Sequence, residues 1–179
     1  MHKEKKAQVW LETVLYTLIG LALIGVVLGL VYPKINEAKE KVLVEQSINS
    51  LSVLDEKINE AIRWGAGNRR EAEFSMKKGE LYINSTSNEI MFALLGLSKP
   101  YSQPGVEISS GRIKIMTISE QKTNSVYLRI PYSADITYGQ KNDVKKFNAA
   151  ATPYRFFIEN KGEAGASVNI DIVEVSGAG

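Results

Sequence analysis

The sequence contains no cysteine, and its single histidine is His2, ahead of every predicted structural element. Without these residue types the rest of the chain cannot build a Ser-His-Asp triad, a cysteine nucleophile or a His/Cys zinc site. Carboxylate-only catalysis and calcium binding need only acidic side chains and carbonyls, but no Asp-rich loop of calcium-hand spacing is present. We therefore expect no enzyme, no cofactor and no metal site.

Charge is also absent from a long stretch near the N-terminus. Thr13 to Tyr32 are twenty consecutive uncharged residues, which as a helix would span about 30 Å, the thickness of a bilayer core. An ordinary secretory signal has a shorter apolar run followed by an A-x-A-like cleavage site, and no such site follows Val31. A buried soluble helix of this kind would need a larger core than 179 residues provide. The run predicts a membrane-spanning helix.

The residues before this run form a basic leader that ends in Lys5-Lys6-Ala7 and is followed by Gln8-Val9-Trp10-Leu11-Glu12. This order resembles the class III signal peptide of archaeal type IV pilin-like proteins. In that family a basic residue and Gly or Ala precede the cut, and Gln-x-Ser-x-Glu then opens an apolar helix. Trp10 stands where the family usually has Ser. The resemblance covers about 30 residues of the chain.

The resemblance implies that a prepilin peptidase cuts between Ala7 and Gln8. It further implies a precursor held in the cell membrane with its N-terminus cytoplasmic, and a mature subunit in an extracellular filament used for adhesion or surface attachment. The partners would be copies of the chain or related pilins, and the pilus assembly machinery. Glu12, one helical turn beyond the new terminus, would offset a neighbouring subunit's amine, because a buried unpaired carboxylate is costly.

A plain single-pass anchor is the alternative interpretation. Lys3, Lys5 and Lys6 would then only mark the cytoplasmic side of the membrane, and the leader would stay attached to an extracytoplasmic binding domain that does not polymerise. Both interpretations export residues 34–179. Loss of residues 1–7 would leave 19 basic and 19 acidic residues, since three lysines and Glu4 leave with the leader. This near-neutral balance argues against nucleic-acid binding.

Within the apolar run, Gly25 and Gly29 form a Gly-x-x-x-Gly pair, which allows two helices to approach closely in a membrane. Glycine is frequent in membrane helices, so the pair supports self-association without establishing it.

A second helical pattern follows Pro33. Apolar residues recur at spacings of three and four, with charged residues between them, and predict an amphipathic helix. They are Val44, Ile48, Leu51, Leu54 or Asp55, Ile58 and Ile62. Gly65-Ala66-Gly67 is expected to end the helix. Pro33 either kinks one continuous helix or divides it.

From Glu71 onward apolar residues alternate with polar ones, which predicts six or more strands with short connections in an antiparallel arrangement. The strands are centred on Leu81–Ile83, Ile90–Leu94, Ile113–Ile115, Val126–Ile130, Tyr154–Ile158 and Val168–Ile172. The segment Tyr138 to Lys146 is expected as an exposed loop. The predicted fold class is α+β: a long hydrophobic helix continues into an amphipathic helix and is followed by an antiparallel β domain, either a sheet or a sandwich. The predicted segments are a leader (1–7), an apolar helix (8–32), an amphipathic helix and hinge (33–67) and an extracellular domain (68–179).

Polar residues of the predicted β domain form no catalytic arrangement. Asp135, Asp143, Asp171 and Glu174 are scattered in sequence, and we expect them to be solvated surface carboxylates. Asn84-Ser85-Thr86 is an N-glycosylation sequon at a predicted turn of the exported half, which makes Asn84 a candidate glycan acceptor.

Overall fold

The computed structural model describes residues 3–165 and 167–175. These residues form one helix, α1 (Lys3–Trp64), followed by ten strands. The strands are β1 (Arg69–Phe74), β2 (Glu80–Asn84), β3 (Glu89–Leu97), β4 (Glu107–Ser110), β5 (Ile113–Glu120), β6 (Thr123–Pro131), β7 (Asp135–Tyr138), β8 (Val144–Asn148), β9 (Tyr154–Ala164) and β10 (Ser167–Glu174). The chain divides into two compact units, residues 1–39 and 40–179. The predicted α+β class is confirmed.

Helix α1 continues through Pro33, so the helix is not divided there. A proline inside a helix removes one backbone hydrogen bond, and here the residues on both sides keep helical geometry. The helix ends at Trp64, where Gly65 adopts a φ of +80°. Such a left-handed residue just beyond a helix is favoured when it is glycine, because glycine has no Cβ to clash. The predicted end of the helix is confirmed.

The predicted apolar stripe of α1 forms one wall of the core. Val44, Leu51, Leu54 and Ile58 are buried, while Ile48 and Ile62 are partly buried and pack against the same cluster. Burial of each such side chain stabilises the fold by about 1.5–3 kcal/mol. Leu54, rather than Asp55, is the core residue of its turn.

Two sheets complete the second unit. The six-stranded sheet has the order β4-β5-β6-β3-β2-β8 and is antiparallel throughout. The four-stranded sheet has the order β1-β9-β10-β7, in which β7 pairs with β10 in parallel. This pair departs from the expected antiparallel arrangement. It is feasible because β8 and β9 lie between the two strands in sequence and supply the long crossover that parallel neighbours need.

Four strands were not identified by the alternating pattern, namely β1, β4, β7 and β8. All four lie at sheet edges. Strands β1, β4 and β8 have many exposed residues, and all four residues of β4 are exposed. The expected loop Tyr138 to Lys146 is wrong in part, because Val144–Lys146 belongs to edge strand β8 and pairs with β2. Edge strands bury little apolar surface and often carry lysine, so the alternation of apolar and polar residues is weak in their sequences.

The core between these elements is rich in phenylalanine. Phe74 and Phe92 lie with ring centroids 5.8 Å apart, and Phe147 contacts Phe156 edge-on at 5.1 Å. Gly79 allows the chain to pass close to this cluster. A Cβ at this position would lie 2.7 Å from the Ala93 carbonyl oxygen, and its φ of +103° also requires glycine.

Candidate assembly segment and surface sites

The first unit presents an apolar helical surface. Between residues 9 and 32 its exposed apolar side chains keep from 44% (Val31) to 71% (Tyr16) of their surface free. By length and composition this part of α1 can cross a membrane. A monomer in water would pay a large hydration penalty for such a surface, so it requires lipid or other apolar chains around it.

Two threonines inside this surface satisfy their own hydrogen-bonding needs. The Thr13 hydroxyl donates to the Val9 carbonyl at 2.9 Å, and the Thr17 hydroxyl donates to the Thr13 carbonyl at 2.8 Å. Both threonines therefore enter an apolar environment without an unpaired donor, which lowers the free-energy cost of burying them. Neither hydrogen bond was predicted from the sequence, although i to i−4 bonding by threonine is a general property of helices.

Gly25 and Gly29 lie one turn apart and therefore on the same side of α1. A Cβ built at either position has no atom within 4 Å. The glycines are thus not needed for packing within the described chain, and a role in contact with another helix remains a prediction.

The predicted processing residues are only partly described. Ala7 and Gln8 lie in the backbone of α1, but their side chains lie outside the described part of the chain. Glu12 is an exposed residue of the same helix. Cleavage and the pairing of Glu12 with another subunit stay predictions.

Asn84 is the last residue of β2 and is followed by the turn 85–88. Its Oδ1 accepts hydrogen bonds from the backbone N–H groups of Thr86 (3.1 Å) and Ser87 (3.2 Å). These bonds fix the turn and leave Nδ2, the atom that would carry a glycan, without a hydrogen bond among the described residues. Thr86 is exposed, whereas Ser85 is buried. The predicted turn is confirmed, and glycosylation stays a prediction.

The expectation of solvated carboxylates is wrong for Asp171, which is only 2% exposed. Its Oδ1 accepts from the Thr137 hydroxyl at 2.9 Å and from the Gln140 backbone N–H at 2.7 Å. Asp171 therefore holds the turn after β7 against β10. Because Ile170 and Ile172 flank Asp171 in sequence, the alternating pattern predicted that Asp171 faces solvent. The turn after β7 covers that face.

Asp135 is likewise engaged rather than solvated. It accepts from the Asn88 side-chain amide at 3.2 Å and from the Ser167 hydroxyl at 2.6 Å. Asn88 in turn accepts from the Ile136 backbone N–H at 2.9 Å. The four residues connect the turn after β2 with β7 and the start of β10, and their contacts are those of a structural network.

The outer face of the six-stranded sheet carries two further ion-pair groups. Lys146 lies 2.7 Å from Glu80, and this contact, with the Tyr82 hydroxyl, lowers the pKa of Glu80 below its usual range. Lys114, 3.3 Å from Glu107, and Arg129, 2.9 Å from it, lower the pKa of the Glu107 carboxyl in the same way. These surface pairs are exposed to solvent and contribute little to stability.

The fold and the apolar segment define the class of this protein, an α+β protein whose N-terminal helix is long and apolar enough to anchor it in a membrane. No family model, curated protein or solved structure matches the chain.

Proposed function

We propose that the protein is a structural subunit of an archaeal type IV pilus-like surface filament. The single observation that carries the proposal is a leader ending in Ala7 directly before an apolar helix with Gln8 and Glu12 in register. The exposed apolar surface over residues 9–32 supports it, because this surface suits both lipid and a bundle of identical helices.

Assembly would transfer the apolar segment of α1 from lipid to contacts with its copies. Lipid tails are as apolar as the helix, so close packing rather than water exclusion drives this step. Gly25 and Gly29 offer a flat surface for that approach. Glu12 would select one axial register, since an apolar surrounding penalises every arrangement that leaves its carboxylate without a cation.

The β domain would lie on the outside of the filament, where it contacts the surroundings, and adhesion or surface attachment is the role we assign to it. Before assembly the chain is held in the cell membrane with its N-terminus in the cytoplasm. Its partners are then the prepilin peptidase, the assembly machinery and other pilin subunits. We assign it no catalytic activity and no nucleic-acid ligand.

The N-terminal sequence and intact mass of the protein from native membranes and from sheared surface material test the proposal. We expect a mature chain that begins at Gln8 in the surface fraction. A chain that begins at Met1 or His2 in both fractions would replace the proposal by the alternative, an anchored binding domain that does not polymerise.

A further inference from the structure

A cleft of about 590 Å³ lies where α1 ends and β1 begins, wholly within the second unit. Glu60, Arg63, Trp64 and Arg70 line it. Its volume falls within the range of roughly 300–1,000 Å³ that is typical of small-molecule sites. The cleft is distinct from the apolar segment and from the sequon.

Trp64 is the most unusual residue of the cleft, because 69% of its surface is exposed. Gly65 turns the chain away directly after it, so no following turn of helix covers the indole. Among the described residues Trp64 makes no ring contact and no side-chain hydrogen bond. A flat apolar face and a free N–H donor are thus offered to a ligand.

The cleft is also cationic. Glu60 Oε2 lies 3.2 Å from Arg70 Nε and 3.2 Å from Lys57 Nζ, so one carboxylate is shared by two cations. Arg63 has no ion pair and no side-chain hydrogen bond among the described residues. The residues that line the cleft include two arginines and one carboxylate, which leaves excess positive charge beside the exposed indole. A guanidinium group favours carboxylate because its N–H groups match the two oxygens.

We propose that this cleft binds an acidic saccharide, with the sugar ring against Trp64 and its carboxylate on Arg63 and Arg70. The C–H face of a pyranose ring packs on a flat indole, while its carboxylate matches the guanidinium groups. Inorganic phosphate would use the arginines but leave the indole exposed, and a neutral sugar would use the indole but leave Arg63 without a partner. The inference deepens the adhesive role proposed above, but the binding itself requires no polymerisation.

Tryptophan fluorescence of the full chain in detergent micelles tests the proposal. The chain has two tryptophans, so in a Trp10→Phe background the emission reports Trp64 alone. The probe is tetragalacturonate, and its matched control is the fully methyl-esterified tetramer, which keeps the rings but removes the charge. We expect a saturable emission change with the acid and at least a tenfold weaker affinity for the ester. No saturable change, or equal affinity for both probes, would overturn the proposal.

Two variants then test the residues by calorimetric titration. Arg63→Gln should weaken tetragalacturonate binding about tenfold, whereas Arg129→Gln, an arginine paired with Glu107 on the six-stranded sheet, should bind like the parent protein. Equal weakening by both variants would indicate non-specific attraction of an anion and would refute the site. Filament formation is scored separately by electron microscopy. Normal filaments from a protein that does not bind tetragalacturonate would count against this inference alone.

Discussion

The buried Tyr132 hydroxyl donates a hydrogen bond to Asp55 Oδ1 at 2.9 Å and so joins the residue after β6 to the C-terminal part of α1. Asp55 also accepts from the Asn59 side-chain amide at 2.9 Å and lies 3.4 Å from an Arg112 guanidinium nitrogen. Arg112 donates to Asn59 Oδ1 at 2.6 Å. These four side chains hold the polar side of α1 against the six-stranded sheet. The apolar stripe of α1 packs into the core beside them.

Tyr132→Phe should destabilise the protein by about 1–2 kcal/mol, because a hydrogen bond to a carboxylate is lost in a buried position. Urea unfolding in micelles, followed by near-ultraviolet circular dichroism, measures this difference. Tyr127→Phe is a matched control within the preceding strand β6, since Tyr127 is only half-buried. An equal loss of stability in both variants would contradict the role of the Tyr132–Asp55 bond.

Stability should also depend on this tyrosine at alkaline pH. Burial, and then the nearby Asp55 carboxylate, raises the pKa of Tyr132 above its ordinary value of about 10. The contribution of the neutral Tyr132 phenol to the free energy of unfolding is therefore fully present below pH 10. It is lost as the pH rises further, because the phenol ionises there only in the unfolded state. The stability difference between the wild type and Tyr132→Phe should shrink between pH 8 and pH 11. A difference that stays constant over this range would refute the linkage.

Gly29→Leu should reduce filament formation strongly without harming the subunit. No atom lies within 4 Å of a Cβ at this position, and leucine favours a helix over glycine by roughly 0.8–1 kcal/mol. A defect must then arise from contact with another helix. Electron microscopy of shed material measures assembly, membrane fractionation measures insertion, and Val27→Leu is the control. Filaments as abundant as those of the wild type would show that the glycine surface is not an interface.

Glu12→Gln should leave membrane insertion intact and abolish or greatly reduce filaments, because the neutral side chain cannot offset a neighbouring terminal amine. Glu37→Gln is the matched control, since Glu37 is a helical carboxylate paired with Lys34 at 3.2 Å beyond the apolar segment. Surface filaments are quantified by shearing and immunoblotting. Normal filaments in the Glu12 variant would exclude the proposed charge pairing.

Asn84 should carry a glycan in the native host, which intact mass and peptide mass spectrometry can detect. Thr86→Ala is the informative variant because it removes the sequon but keeps the backbone N–H that bonds to Asn84. Thr86→Ser keeps the sequon and should retain the added mass. An unmodified peptide as the sole species in the wild type would end the hypothesis.

Gly79→Ala should destabilise the fold by about 2–4 kcal/mol, since the new methyl group meets a backbone carbonyl at 2.7 Å in a left-handed conformation. Gly111→Ala is the control. Its φ is +59°, but nothing lies within 4 Å of the added Cβ, so only about 1 kcal/mol of conformational strain is expected. Similar losses in both variants, measured by urea unfolding, would show that the close approach at Gly79 is relieved by local movement.

The helical half of the molecule was largely predictable because its signals are local. An uncharged run as long as a bilayer is thick, a three-and-four apolar spacing and a glycine pair after Trp64 each act within a few turns of chain. The structure confirms the helix, its buried stripe and its end. The same reasoning left Pro33 undecided, since a single lost hydrogen bond is tolerated in some helices and not in others.

The sheets were predictable only where strands lie centrally. Strands β3 and β6 bury alternate residues and were identified, whereas edge strands β4 and β8 have little apolar surface and were missed. The parallel pairing of β7 with β10 was not predictable either, because strand order depends on contacts between residues far apart in sequence.

The sequence by itself determined the apolar segment, the candidate cleavage site between Ala7 and Gln8, the sequon at Asn84 and the exclusion of cysteine and histidine chemistry. These properties depend on residue type and spacing along the chain. Only the tertiary structure decided that Asp171 is buried, that Tyr132 binds Asp55, and that Trp64 stands exposed beside Arg63 and Arg70. The burial of Asp171, the bond from Tyr132 to Asp55 and the approach of Arg70 to Trp64 each involve residues on different elements, and their geometry exists only after the helix and the two sheets have packed.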